Sequence, residues 1–245
     1  MKESTKTTEG GRTNRTGLAL SDHADEMLEV PELTRPTPSN GGIRQEHALY
    51  AKQSHAIGTV PPPNTAKGLA KAAMQAITGG KAVALVDKMS ERLAFERTGV
   101  RLYEALLEKM EVAGKTFSGG PTRNEVQQIR DEELNHAHLM VEALEHLGAD
   151  PTVMTPSADL VGVEGLGLVQ VVNDPRTTVG QCLHALLVAE LADNDGWMMM
   201  RTMAEELGQK ELAKRFSRAE QEEERHLELV RTWLLAHARD QASMT

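Results

Sequence analysis

A single cysteine, Cys182, stands in a chain of 245 residues. That excludes an intrachain disulfide and any four-cysteine zinc or iron site, and it fits a reducing compartment. Aromatic residues are scarce too, at 3% of the chain, so Tyr103, Trp197 and Trp233 each carry information. Basic charge is in deficit: 27 Lys and Arg face 36 Asp and Glu, for a net charge of −9. No nucleic-acid partner is expected, because phosphate contacts need clustered Lys and Arg. No apolar run is long enough to cross a bilayer. The opening residues, Met1 to Lys6, lead into polar sequence without the apolar core of a secretory signal. The expectation is a cytoplasmic protein with no membrane partner.

Residues 1–65 read as a flexible tail. Ser, Thr, Gly, Asn and charged residues dominate it, and prolines interrupt it at Pro31, Pro36, Pro38 and Pro61 to Pro63. Leu18, Leu20, Leu28 and Val30 are too sparse to build a core. Within it, Ile43, Leu49, Tyr50 and Ile57 allow a short helix over 43–57 that docks on a protein partner or on the body. Residues 66–78 predict a short amphipathic helix stopped at Gly79-Gly80. The folded domain is expected over 66–245.

Four long helices follow from the spacing of apolar residues. The first runs from Lys81 to Gly114 with Leu85, Met89, Leu93, Val100, Tyr103 and Leu107 inward, and Glu96 in the middle of that face. The second starts at Pro121 and a Thr122-x-x-Glu125 capping box, and Gly148 stops it. Its inner stripe is Val126, Ile129, Met140, Leu144 and Leu147, with Glu133, His136 and Ala137 between. Residues 148–174 are rich in Gly, Pro and turn residues but carry apolar residues from Leu160 to Val172. A strand is conceivable there, and a crossover packed along the bundle is preferred. The third helix begins at Asp174-Pro175 and passes Arg201, with Leu183, Leu186, Leu187, Glu190, Asp193, Asn194 and Trp197 inward. After a break near Gly208 the fourth carries Phe216, Ala219, Glu223, His226, Val230, Trp233 and Leu234 on one face. The fold expected is all-α, a four-helix bundle of two antiparallel hairpins joined by a long crossover.

Two of these helices carry Glu-x-x-His: Glu133 with His136, and Glu223 with His226. Positions i and i+3 share a helix face, so each pair offers a carboxylate beside an imidazole. Glu96 and Glu190 are lone carboxylates on the other two apolar faces. The motif is short and charged helices produce it by chance; its position gives it weight. An ionised carboxylate buried alone costs several kcal/mol, and four converging would also repel one another. Two divalent cations balance them. An oxygen-rich site with one imidazole per metal suits non-haem iron, with manganese as the competitor in a mixed Mn–Fe or Mn–Mn pair. Glu96 and Glu133 lie 37 positions apart, and Glu190 and Glu223 lie 33 apart. Either interval is a helix, a short turn and a return to the same height.

Four glutamates and two histidines in this order, over roughly residues 81–240, resemble the ferritin-like superfamily, in its bacterioferritin and rubrerythrin branch of di-iron carboxylate proteins. The resemblance implies two iron ions held by Glu96, Glu133, His136, Glu190, Glu223 and His226. It implies Glu96 and Glu223 as terminal ligands and Glu133 and Glu190 as bridges. Tyr103, seven residues after Glu96, matches a tyrosine typical of the family. Asp193, three residues after Glu190, stands where rubrerythrins carry a second carboxylate of the third helix. Asp is shorter than Glu, so direct ligation and a supporting role both stay open. The pattern is departed from in two places. One cysteine cannot supply a rubredoxin-like module, and the residue after Glu133 is Leu134 where bacterioferritins carry a haem-binding methionine, so no haem is expected. The tail has no counterpart in either.

Other residues read more plainly. His138, His146 and His184 are surface or supporting residues, Met198 to Met200 are packing or surface, and Trp197 and Trp233 are core. Glu132 and Glu222 either accept hydrogen bonds from ligand histidines on neighbouring helices or belong to a solvated face, and the sequence favours neither. Tyr103 is expected to hydrogen-bond a ligand carboxylate. The function expected is that of a di-iron oxidoreductase, a ferroxidase or a rubrerythrin-like peroxidase, acting on Fe(II), hydrogen peroxide or dioxygen with an electron donor that the sequence leaves unidentified. Asp193 favours the peroxidase. The alternatives are iron storage, as a shell or as shell cargo docked by the tail, and a di-metal oxygenase. A homo-oligomer is expected, although all six ligands lie on one chain and one protomer could complete the site.

Overall fold

The computed structural model describes residues 42–55, 57, 60, 81–114 and 116–243. The chain divides into two units, Met1–His55 and Ala56–Thr245. In the first, helix α1 (Gly42–Gln53) overlaps the stretch 43–57 expected to form a short helix, and it buries none of its residues. Ile43, Leu49 and Tyr50 are all more than half exposed. Residues 1–41 of the tail expected over 1–65, and the helix expected over 66–78, lie outside the described residues.

The second unit is helical throughout its described secondary structure, with helices α2 (Lys81–Ala113), α3 (Arg123–Leu147), α4 (Pro156–Glu164), α5 (Leu166–Asn173), α6 (Val179–Glu206) and α7 (Lys210–Ser243). The capping box at the start of α3 forms as expected: Glu125 N–H donates to the Thr122 hydroxyl, and the Glu125 carboxylate accepts from Thr122 N–H. Gly148 ends α3 in the left-handed region at φ 82°, where a side chain would be strained. Gly208, at φ 69°, makes the tight reversal between α6 and α7.

The crossover decides against the strand that was only conceivable and corrects one helix start. Residues 156–173 form α4 and α5, not a strand. Their buried residues, Ala158, Val161, Gly165 and Val172, with half-buried Leu168 and Val169, recur every three or four positions. A strand would bury every second one. Asp87 of α2 anchors the start of α4, accepting from the backbone N–H (3.0 Å) and hydroxyl (2.6 Å) of Ser157. Helix α6 begins at Val179, not at Asp174-Pro175. Thr178 and Gln181 form a second capping box there. Asp174 instead closes a turn, its carboxylate accepting from the backbone and side chain of Arg176.

Helix α2 packs on α3, α6 packs on α7, and α4 and α5 lie against α2, with α5 also touching α6. Apolar side chains gather in two layers. One is built around Leu102, Leu106, Leu183, Leu186, Val230 and Trp233. The other holds Met89, Leu93, Met140, Leu144, Trp197 and Phe216. On each of the four long helices the charged inner residues fall in sequence between one layer and the other. A sheet of carboxylates and imidazoles thus sits between two apolar slabs, the setting in which electrostatic forces are strongest.

Candidate metal centre

Each charged side chain is carried inward by the apolar stripe around it. Glu96 rides between Leu93 and Leu102 on α2, and Glu223 between Phe216 and Val230 on α7. Glu96, Glu133, His136, Glu190, Asp193, Glu223 and His226 are all at most 2% exposed. The structure brings the six expected ligands and Asp193 into one place. Their donor atoms form three overlapping groups, within each of which all lie within 4.8 Å of one another: Glu133, Glu190, Glu223 and His226; Glu96, His136 and Glu223; and Glu96, Glu133, Asp193 and Glu223. Groups of this composition could hold a metal ion.

Glu223 belongs to all three. One of its oxygens lies 2.6 Å from His136 Nδ1 and the other 3.1 Å from His226 Nδ1, and the two imidazole centroids are 6.2 Å apart. Glu190 lies near only one imidazole, with its Oε2 4.0 Å from His226 Nδ1. Glu223, expected as a terminal ligand, thus lies near both imidazoles, and Glu190, expected as a bridge, lies near one.

Glu96 Oε2, Glu133 Oε2 and Glu190 Oε2 are buried with no hydrogen-bond partner, while Glu223 Oε1 stands 2.6 Å from His136 Nδ1 and Asp193 Oδ1 2.8 Å from Arg92 Nη1. Buried polar groups in folded proteins are nearly always satisfied, and leaving one orphaned costs about 1–3 kcal/mol, more when charged. Three such oxygens, gathered in one layer with the Glu223 carboxylate and two imidazoles, have the donor chemistry of a carboxylate–imidazole metal site. Five carboxylates and the buried guanidinium of Arg92 leave four negative charges, which two divalent cations would neutralise.

The electrostatics without metal follow from burial. Desolvation pushes the Glu96, Glu190 and Asp193 carboxyls well above the usual range, reinforced by neighbouring carboxylates. Glu133 is raised for the same reasons. Glu223 resists: burial pushes it up, but hydrogen bonds with His136 and His226 hold it down to about 2. Burial would lower His136, yet Glu222 and Glu223 carry it up to about 10, and His226 is likewise raised by Glu132, Glu133 and Glu223. Without metal, protons do part of the work of neutralising the layer.

The outer side of each imidazole is tied down across the helix pair. His136 Nε2 lies 2.9 Å from Glu222 on α7, and His226 Nε2 lies 2.8 Å from Glu132 on α3. These crossed pairs, one of the two readings open for Glu132 and Glu222 in the sequence, leave both Nδ1 atoms facing the buried carboxylates. Arg225 pairs with Glu132, and Arg218 lies 3.3 Å from Glu222. Glu132 and Glu222 are only partly buried and, with Asn135, His136, Arg215 and Arg218, line a cleft of about 410 Å³ between α3 and α7. His136 forms part of its wall.

Tyr103 donates its hydroxyl to Glu190 Oε1, as expected. Trp197 was expected only as core, but its indole N–H donates to Glu96 Oε1 at 3.0 Å. Asn194 donates to the backbone carbonyls of Glu190 (3.3 Å) and Glu223 (2.9 Å), bracing α6 against α7. Arg92 was missed altogether: its Nη1 lies 2.8 Å from Asp193 and its Nε 3.3 Å from Glu96. One signal was available in the sequence, since Arg92 is four residues before Glu96 on the Met89–Glu96 face. Gly99 was missed too: a Cβ there would lie 2.1 Å from Glu133 Oε2. His138 and His184 are exposed, as are Met198 and Met199, while Met200 is buried.

No family model, curated protein or solved structure matches this chain.

Proposed function

We propose that this chain is a ferritin-like di-iron carboxylate protein that oxidises Fe(II) or reduces hydrogen peroxide or dioxygen at a dinuclear centre within a four-helix bundle. The observation that carries the reading is the set of unpartnered buried donor atoms gathered around Glu223, between two inward-facing imidazoles. The order of the layers supports the bundle topology. Helices α2 and α7 meet the Met89–Phe216 layer before the charged one, whereas α3 and α6 meet the Leu102–Val230 layer first. That order makes α3 and α6 parallel and calls for a long connection between them, which α4 and α5 provide.

Glu96, Glu133, His136, Glu190, Glu223 and His226 would hold the two ions, with Glu223 shared between them. Bound there, a ferrous pair supplies two electrons to one O–O bond; manganese is the competing metal. The chain's own residues prepare the site. Trp197 and Tyr103 fix Glu96 and Glu190 by one hydrogen bond each and leave the second oxygen of each free. Glu132 and Glu222 hold the imidazoles in the tautomer whose Nδ1 lone pair faces inward. The apolar slabs exclude water from above and below, and the α3–α7 cleft admits a small oxidant or an Fe(II) ion past His136.

The test is stopped-flow mixing of anaerobically Fe(II)-loaded protein with peroxide and, separately, dioxygen, against Glu190→Ala. Oxidation faster in the wild type by at least tenfold supports the reading, and the better oxidant separates peroxidase from ferroxidase. Equal rates in both proteins would remove α6 from the chemistry.

A further inference from the structure

The charged layer contains one cation that a six-ligand pattern does not require. Arg92 is 5% exposed. Its Nη1 lies 2.8 Å from Asp193 Oδ1 and donates to the Asp193 carbonyl at 3.2 Å, and its Nε lies 3.3 Å from Glu96 Oε1. The guanidinium also sits 4.2 Å from the ring centroid of Phe95, where a cation is attracted to the aromatic face. Room for it comes from Gly196 on the facing helix: a Cβ there would stand 1.9 Å from Nη1. Arginine does not lose its proton in proteins, so this is a fixed positive charge.

Two of the three donor groups include an imidazole. The third, Glu96, Glu133, Asp193 and Glu223, is all carboxylate. Arg92 makes its ion pairs with two members of that third group. We propose that Arg92 is a positioning residue that stands in for a third metal ion: as a fixed cation beside the all-carboxylate group it limits the layer to two divalent cations and holds Asp193 aside as a reserve carboxylate. The proposal rests on the dinuclear reading above. With Arg92, the five carboxylates carry four uncompensated charges and two divalent cations complete the balance. Without it five remain, and the all-carboxylate group becomes the most favourable place for another ion.

The experiment is equilibrium dialysis of the full-length, metal-stripped chain against Co(II) under anaerobic conditions, counting bound ions and recording the visible spectrum. Two ions are expected in the wild type and three in Arg92→Met, the third adding only the weak absorption of an all-oxygen environment. Arg92→Lys, which keeps the charge, and the double variant Arg92→Met with Asp193→Asn should return to two. If Arg92→Met fails to fold by circular dichroism, Gly196→Ala, whose new methyl displaces Nη1, carries the test with the same expected third ion. Two ions in the folded variant lacking or displacing the guanidinium, or three in the wild type or Arg92→Lys, would overturn the proposal. Fewer than two in the wild type would instead refute the dinuclear reading itself.

Discussion

Gly99→Ala separates metal binding from folding with a single methyl group. Gly99 lies on α2, three residues after Glu96, facing α3. A Cβ there would lie 2.1 Å from Glu133 Oε2 and 2.9 Å from its Cδ, while Glu133 Cγ is at an ordinary 3.6 Å. The clash is thus with the far end of a flexible side chain, which can swing away. In the metal-free protein the substitution should be neutral or favourable: alanine in a helix interior is worth about 1 kcal/mol over glycine, or about 2–4 °C in Tm for a domain of this size. In the metal-loaded protein the same methyl occupies the place of the Glu133 carboxylate. A loss of affinity of about 100-fold, the upper end for disturbing a ligand's support, removes about 2.7 kcal/mol of ligand-linked stability. The metal-induced rise in Tm should therefore shrink by about 5–10 °C. The assay is a pair of thermal melts, metal-stripped and in excess Mn(II), on wild type and variant. An unchanged metal-induced rise in a Gly99→Ala protein that folds normally would show that Glu133 does not hold the metal.

Other perturbations read other parts of the structure. In the metal-free protein His136, raised to about 10, binds its proton more tightly folded than unfolded. Its contribution is complete below about pH 6.5 and is lost as pH rises toward 10. The raised Glu96, Glu190 and Asp193 carboxyls act in the same direction, losing their contribution as pH climbs past the ordinary carboxylate range. Thermal melts in chelator should fall from pH 6.5 to 9, while metal affinity, which requires those protons to leave, should rise over the same range. Melts in chelator that stay flat would contradict the buried proton count. Glu222→Ala removes the carboxylate behind His136 and should weaken metal binding about 10–100-fold by competition with a chelating dye; unchanged affinity would deny it an orienting role. Thr122→Ala breaks the capping box of α3 and should lower Tm by about 2–4 °C, from a loss of about 1 kcal/mol, without altering metal affinity. A simultaneous loss of metal would mean that the helix start and the site are mechanically coupled.

The parts of this protein that were legible in its sequence are those governed by local rules. Glu-x-x-His on an apolar face puts Glu133 with His136 and Glu223 with His226 whatever the partner helix does. Glu132 and Glu222 were readable as one of two alternatives, because each immediately precedes a ligand on a helix facing the other's histidine. What escaped depends on groups far apart in the chain. Arg92 offers only its four-residue spacing to Glu96, and its other partner, Asp193, is brought to it by α6 from 101 positions away. Gly99 and Gly196 carry no signal of their own, since their role is the space they leave for Glu133 and Arg92. Glu223 could not be told from Glu96 by spacing, because which carboxylate lies between the imidazoles is decided by how α3 and α7 cross. The secondary structure of the crossover was left open by composition: its apolar run allowed a strand, while the three-to-four-residue recurrence of Ala158, Val161, Gly165, Leu168 and Val172 fits two helices. The start of α6 went to Thr178 because its side chain, and not the Asp174-Pro175 pair, satisfies the first free N–H groups.

The central claim is that Glu223 and its neighbours hold two metal ions side by side. Its most direct measurement is metal analysis of the chain reconstituted anaerobically with Fe(II) and freed of loosely bound ions, paired with the same measurement on Glu223→Ala. Two irons per chain in the wild type are predicted, with loss of both in the variant, because Glu223 belongs to every donor group. Fewer than about one iron per chain in the wild type, or two retained without Glu223, would contradict the account.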